Sequence, residues 1–133
     1  MKISKHFLFL LLLTGNVIAQ DTSEGIFHLQ RIPEKGLLLD KDWKFKAGDN
    51  PRFSRLDYDD KDWTPIDPTG ELHHLPAVRD AAIGWFRLNM EVDSSLWGEG
   101  LTMVVSNIDA SEIYLNEKLL YRFGNVSKNY QEE

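Results

Sequence analysis

Three groups of side chains in this sequence could do chemistry. Trp85, Arg87 and Asn89 alternate along one stretch, so a strand there presents them on one face. An aromatic platform beside a cation and an amide suits a sugar or another small polar ligand such as a carboxylate. The competing reading is a face covered by another strand or by a long loop. Asp57, Asp59, Asp60 and Asp62 form the densest acidic cluster. A calcium-binding loop of the EF-hand type needs Gly at its sixth position and Glu at its twelfth. Counted from Asp57 those positions are Asp62 and Pro68, so the pattern fails. The four carboxylates are expected instead to cap turns and face water, with Trp63 anchoring the segment. His73 and His74 are adjacent, and the chain has no Cys to complete a zinc site. Neighbouring side chains of an extended segment point opposite ways, so these two are expected to be solvated loop histidines. No metal is assigned to them.

Catalytic machinery is not visible. There is no Gly-x-Ser-x-Gly elbow and no Ser framed by a suitable His and Asp. Among 21 acidic residues, carboxylate pairs arise by chance and carry no message. The chain is expected not to be an enzyme by itself, and no cofactor is expected.

The N-terminus reads as an export signal. Met1 to His6 is a short basic region with Lys2 and Lys5, and an apolar run from Phe7 to Leu13 follows. Val17 and Ala19 occupy the small-residue positions of a cleavage site before Gln20. The apolar run is shorter than the roughly 20 residues that span a bilayer. The mature chain is then 20–133, in an exported compartment, periplasmic or on the outer face of a membrane. Losing Lys2 and Lys5 takes the net charge from −6 to −8. Such an acidic domain repels nucleic acid and anionic lipid, which excludes both as partners. With no Cys the exported fold has no disulfides and must rely on a packed core.

The elements that must position the three groups are strands. Residues 20–36 read as an arm with one early strand at Ile26 to Leu29. Trp43, Phe45 and Ala47 alternate with Lys44 and Lys46, and Gly48 to Pro51 ends that strand. Residues 50–81 are long, polar and irregular, with Phe53, Leu56, Tyr58, Trp63, Ile66 and Leu75 expected to pin them to the core. Trp85 to Val92 is the clearest strand: Phe86, Leu88, Met90 and Val92 take one face, Trp85, Arg87, Asn89 and Glu91 the other. Leu101 to Ile108 is apolar on both faces and is expected to be a central strand. Ser111 to Leu115 and Lys118 to Phe123 form a hairpin about Asn116 and Glu117. Glu117 stands where Gly is favoured, so a longer loop is an alternative there. Trp43, Phe45, Phe86, Leu88, Ile113 and Leu115 are expected to share one interior. Short strands and frequent turns imply an all-β sandwich over 37–133.

Four runs carry a family resemblance: WKFKAGD at 43–49, DDKDW at 59–63, GWFRL at 84–88 and DASEIYLN at 109–116. In this order they resemble the galactose-binding-like jelly-roll domain. That domain heads family 2 glycoside hydrolases, and it forms the extracytoplasmic N-terminus of many bacterial membrane sensor kinases and related phosphatases. Ile83 before the third run, and Leu120 to Gly124 after the fourth, are closer to the signalling type. The resemblance implies a non-catalytic sensor domain that meets a carbohydrate, another small ligand or a protein partner. The alternatives it leaves are a sugar-binding-like accessory domain of an exported glycosidase, and an interaction module with no small ligand. Domains of this kind often hold a structural calcium, though no residue here is assigned to one. Two departures matter. The Asn-Gly turn common in the family is Asn116-Glu117 here. The family's jelly roll also continues for several strands past this hairpin, so the chain is expected to be a C-terminally truncated piece. Membrane segments would lie downstream, and the piece alone is expected to self-associate through unpaired apolar edges.

The export reading has a direct test. Protein recovered from the periplasm is expected to start at Gln20, cut after Ala19. Intact-mass spectrometry that finds Met1 on the exported protein overturns it.

Overall fold

The computed structural model describes residues 25–106 and 110–126. The segment read as an export signal therefore lies outside the described residues. Among the described residues the architecture is all-β, with six strands and almost no helix. They are β1 (Ile26–Leu29), β2 (Trp43–Ala47), β3 (Thr64–Ile66), β4 (Gly84–Val92), β5 (Ser111–Leu115) and β6 (Lys118–Phe123). A four-residue helix, α1 (Pro76–Arg79), and three 3-10 turns interrupt the connections. No helix among the described residues is long and apolar enough to cross a membrane.

The main sheet runs β1-β4-β2-β3, with β1 parallel to β4 and the other neighbours antiparallel. Its register sets Trp43 opposite Leu88 and Phe45 opposite Phe86, so alternation puts these four on one face. Phe27 and Leu29 of β1 join that face opposite Met90 and Val92. Phe45 is its anchor: it is 2% exposed, and its ring meets Phe86 at 5.1 Å between centroids. Gly84 makes room for it. A Cβ there would stand 2.7 Å from Phe45 Cζ, so the ring covers the glycine where a side chain would otherwise project.

The opposite face carries Lys44, Lys46, Trp85, Arg87 and Asn89, and residues 50–63 fold over it. Phe53 and Trp63 of that loop are buried, while Leu56 and Leu75, also expected to pin the segment, are exposed. The loop thus covers much of the face that carries Trp85, Arg87 and Asn89. The Trp63 indole nitrogen is buried without a hydrogen-bond partner, so apolar area rather than polarity holds that ring. Only four hydrophobic side chains are buried among the described residues: Leu29 and Phe45 on one face, Phe53 and Trp63 on the other.

The hairpin forms as the sequence implies. Asn116 and Glu117 both have positive φ, 47° and 69°, which is the geometry of a two-residue type I′ turn. Three expectations need correction. Leu101 to Ser106 forms no strand, and Val104 is 86% exposed; residues 107–109 fall outside the described residues. An apolar run becomes a central strand only if neighbours pair with it, and β5 and β6 pair with each other. Ile113 and Leu115 do not join the interior of the main sheet. They lie on the two-stranded sheet, Leu115 is 58% exposed, and the contact with β4 is made by Tyr114, on the other phase of β5. Finally, residues 64–66, read as loop, pair with β2.

The Phe45 slot predicts an unusual sensitivity. Gly84→Ala adds one methyl group, yet it is expected to cost about 1–3 kcal/mol through overpacking against a fixed ring. A denaturant melt equal to that of the wild type overturns this packing.

Candidate functional site

The site is built from β2, β4 and the loop that folds over them. Asn50 caps a 3-10 turn at Pro51–Ser54, its Oδ1 accepting from Arg52 N at 3.0 Å. Pro51 suits the first position of that turn. The turn drops Phe53 onto the sheet, where its ring meets Tyr58 and Trp63 edge-on at 5.1 Å and Trp85 at 6.0 Å.

Arg87 holds this loop down. Nη1 donates to the carbonyls of Phe53 at 3.0 Å and Arg55 at 2.9 Å, and Nη2 to that of Leu56 at 3.4 Å. Nε lies 3.0 Å from Asp60 Oδ2. Asp60 also accepts from Lys44 Nζ at 2.6 Å and from Asn89 Nδ2 at 2.9 Å. Lys44 and Arg87 face each other in the β2–β4 register, so their two charges converge on one carboxylate. Burial works to raise the Asp60 pKa. The hydrogen bonds from Lys44 and Asn89, with the charges of Lys44 and Arg87, outweigh it and hold the carboxyl below its ordinary value.

Beside this network opens a pocket of about 350 Å³. Lys44, Asp60, Arg87 and Asn89 give it polar lining, and Ile26, Leu56 and Tyr58 give it apolar lining. Two of the three residues singled out in the sequence, Arg87 and Asn89, therefore meet in one site. Trp85 does not line it. Its ring lies 5.3 Å from Tyr114, where it joins the main sheet to the hairpin. Arg87 directs its donors to the protein and acts as a clamp. Lys44 gives one of its three donors to Asp60, which leaves donors for a bound hydroxyl or carboxylate. The pocket thus sets an ammonium group and an amide beside a tyrosine ring. Lys44, Asp60 and Tyr58 are the site residues that sequence reasoning missed.

The acidic cluster splits. Asp57 pairs with Arg55 at 2.8 Å, Asp59 with Lys61 at 3.5 Å and Asp62 with Lys46 at 2.6 Å, all exposed as expected. Asp60 departs from the expectation: it is 8% exposed and belongs to the interior. The histidine reading is also corrected. Leu72–His74 is a 3-10 turn, not an extended segment, and the two rings stand 4.1 Å apart. Glu117 explains its own place in the hairpin turn: its Oε1 accepts from Leu56 N at 2.9 Å, which a glycine could not offer.

The network predicts a stability ranking. Asp60→Ala leaves two poorly solvated cations without their anion and is expected to cost about 3–5 kcal/mol. Arg87→Ala should fall in the same range, beside Phe86→Ala rather than below it. Because the folded-state pKa of Asp60 is lowered, its contribution is complete above the ordinary value of 3.8 and fades as the pH falls through the folded value. Denaturant melts between neutral and strongly acidic pH should therefore converge for wild type and Asp60→Asn at the acid end. A parallel offset at all pH values removes Asp60 from this role.

No family model matches the chain, and no curated protein or solved structure does so either.

Proposed function

We propose that this chain is the extracytoplasmic binding module of a bacterial membrane signalling protein, built on a galactose-binding-like jelly roll. Its ligand is a small polar molecule, with carbohydrate the leading class. The observation that carries this reading is the pocket beside Lys44, Arg87 and Asn89, walled by Tyr58 and Leu56. Hydroxyl groups of a sugar suit an ammonium and an amide, and an aromatic wall suits the apolar face of a pyranose. The runs at 43–49, 59–63 and 84–88 support the same reading, because β2, the Asp60 loop and β4 together build this pocket. Self-association belongs to the proposal as well. Leu101, Met103, Val105, Leu119, Leu120 and Phe123 are exposed, and each strand of the hairpin has one unpaired edge among the described residues.

The test is a titration of isotope-labelled protein with simple sugars, polyols and small carboxylates at millimolar concentration, followed by NMR. Shifts are expected at the Asn89 side-chain amide and around Tyr58, and Lys44→Ala should abolish them. If no member of the panel moves these signals, the small-ligand reading falls and an interaction module remains.

A further inference from the structure

The connection between β3 and β4 carries a second polar cluster. None of its residues lines the pocket. Leu72–His74 forms a 3-10 turn closed by His74 N to Glu71 O and Leu75 N to Leu72 O, both at 3.0 Å. Gly70 precedes the turn, with Leu72 N donating to its carbonyl at 3.0 Å. Pro76 opens α1 directly afterwards, and α1 packs against the turn. The backbone is therefore fixed on both sides of the two histidines.

This turn gathers Glu71, His73 and His74. One ligand-type atom from each lies within 4.8 Å of the other two. His74 Nδ1 is 2.8 Å from Glu71 Oε2, and the imidazoles meet edge to face at 4.1 Å. The His74 and Glu71 atoms thus already face each other at a position that a metal ion can take. Zinc holds nitrogen and oxygen ligands at about 2.0–2.2 Å, which puts neighbouring ligand atoms about 3.4 Å apart in a tetrahedron. All three side chains are exposed, so small rotations bring their atoms that close without disturbing a core. One carboxylate and two neutral imidazoles favour a borderline divalent cation over calcium or magnesium, which prefer all-oxygen sets. Three protein ligands leave a coordination position for water or a partner's side chain.

We propose that Glu71, His73 and His74 form a surface site for a zinc-type divalent cation. The site is independent of the pocket and does not rest on the function proposed for it.

The experiment titrates the metal-stripped full chain with Zn²⁺ by calorimetry, and with Co²⁺ by visible absorption. A single Zn²⁺ per chain is expected to bind at this turn. His73→Ala and His74→Ala should each weaken it about tenfold or more. Because these side chains are exposed, thermal melts of the metal-free variants should match the wild type. His28→Ala is the control: that imidazole lies 3.2 Å from Glu91 on the edge of the main sheet and should leave Zn²⁺ affinity unchanged. The proposal is overturned if the double variant at positions 73 and 74 binds Zn²⁺ as tightly as wild type. Displacement of Zn²⁺ by equimolar Ca²⁺ overturns it equally.

Discussion

The fold hinges on how a long irregular segment is tied to a sheet face. A loop folded onto a sheet has carbonyl groups with no ladder to join, and a buried unpaired carbonyl is costly. Local turn bonds take the carbonyls of Asn50, Arg52 and Asp60, and one guanidinium supplies donors to others. Arg87 reaches the carbonyls of residues 53, 55 and 56 and still engages Asp60. A lysine could not do the same, because a single ammonium cannot spread its donors across so wide a fork. The charge brought inside is then matched by the carboxylate, and Lys44 and Asn89 complete its coordination. The loop, β2 and β4 are held by one connected set of hydrogen bonds.

Aromatic contacts extend this anchoring. Phe53 sits among Tyr58, Trp63 and Trp85, so the apolar part of the loop is keyed to the same strand as Arg87. From Trp85 the contact continues to Tyr114. The hairpin turn returns to the loop through Glu117 and Leu56. Ring packing of Trp85 on Tyr114 and the hydrogen bond from Leu56 N to Glu117 both tie the hairpin to the main sheet and its loop. The pocket borders the first of these assemblies, and of its polar lining Asp60, Arg87 and Asn89 are each held by more than one partner.

Much of this was legible in the sequence where a pattern is local. The phase of β4 follows from alternation, and Phe86 and Arg87 do point to opposite faces. The tight turn at Asn116 and Glu117 was readable from strand spacing. What failed depended on distant partners. Leu101 to Ser106 has the composition of a central strand, but composition does not say whether neighbours arrive to pair with it. Asp60 resembles Asp57, Asp59 and Asp62 in sequence, and only the return of the loop distinguishes it. A usable signal existed: Lys44 and Arg87 fall on one face of adjacent strands beside Trp85, and two cations under a covering loop require an anion. The turn at His73 and His74 was read as an extended segment, although Gly70 before it and Pro76 after it are turn-forming residues. β3 was invisible because three residues containing Pro65 show no period.

The parallel pairing of β1 with β4 has a consequence for the order of folding. It joins positions 26 and 89, and the β2–β4 ladder joins 45 and 86, so the main sheet forms only after long stretches of chain have closed. The hairpin closes over two residues and can form within about 10 μs. Residues 111–123 are therefore the natural first structure. The main sheet follows at the slower pace of non-local β topology, when β4 captures strands made long before it.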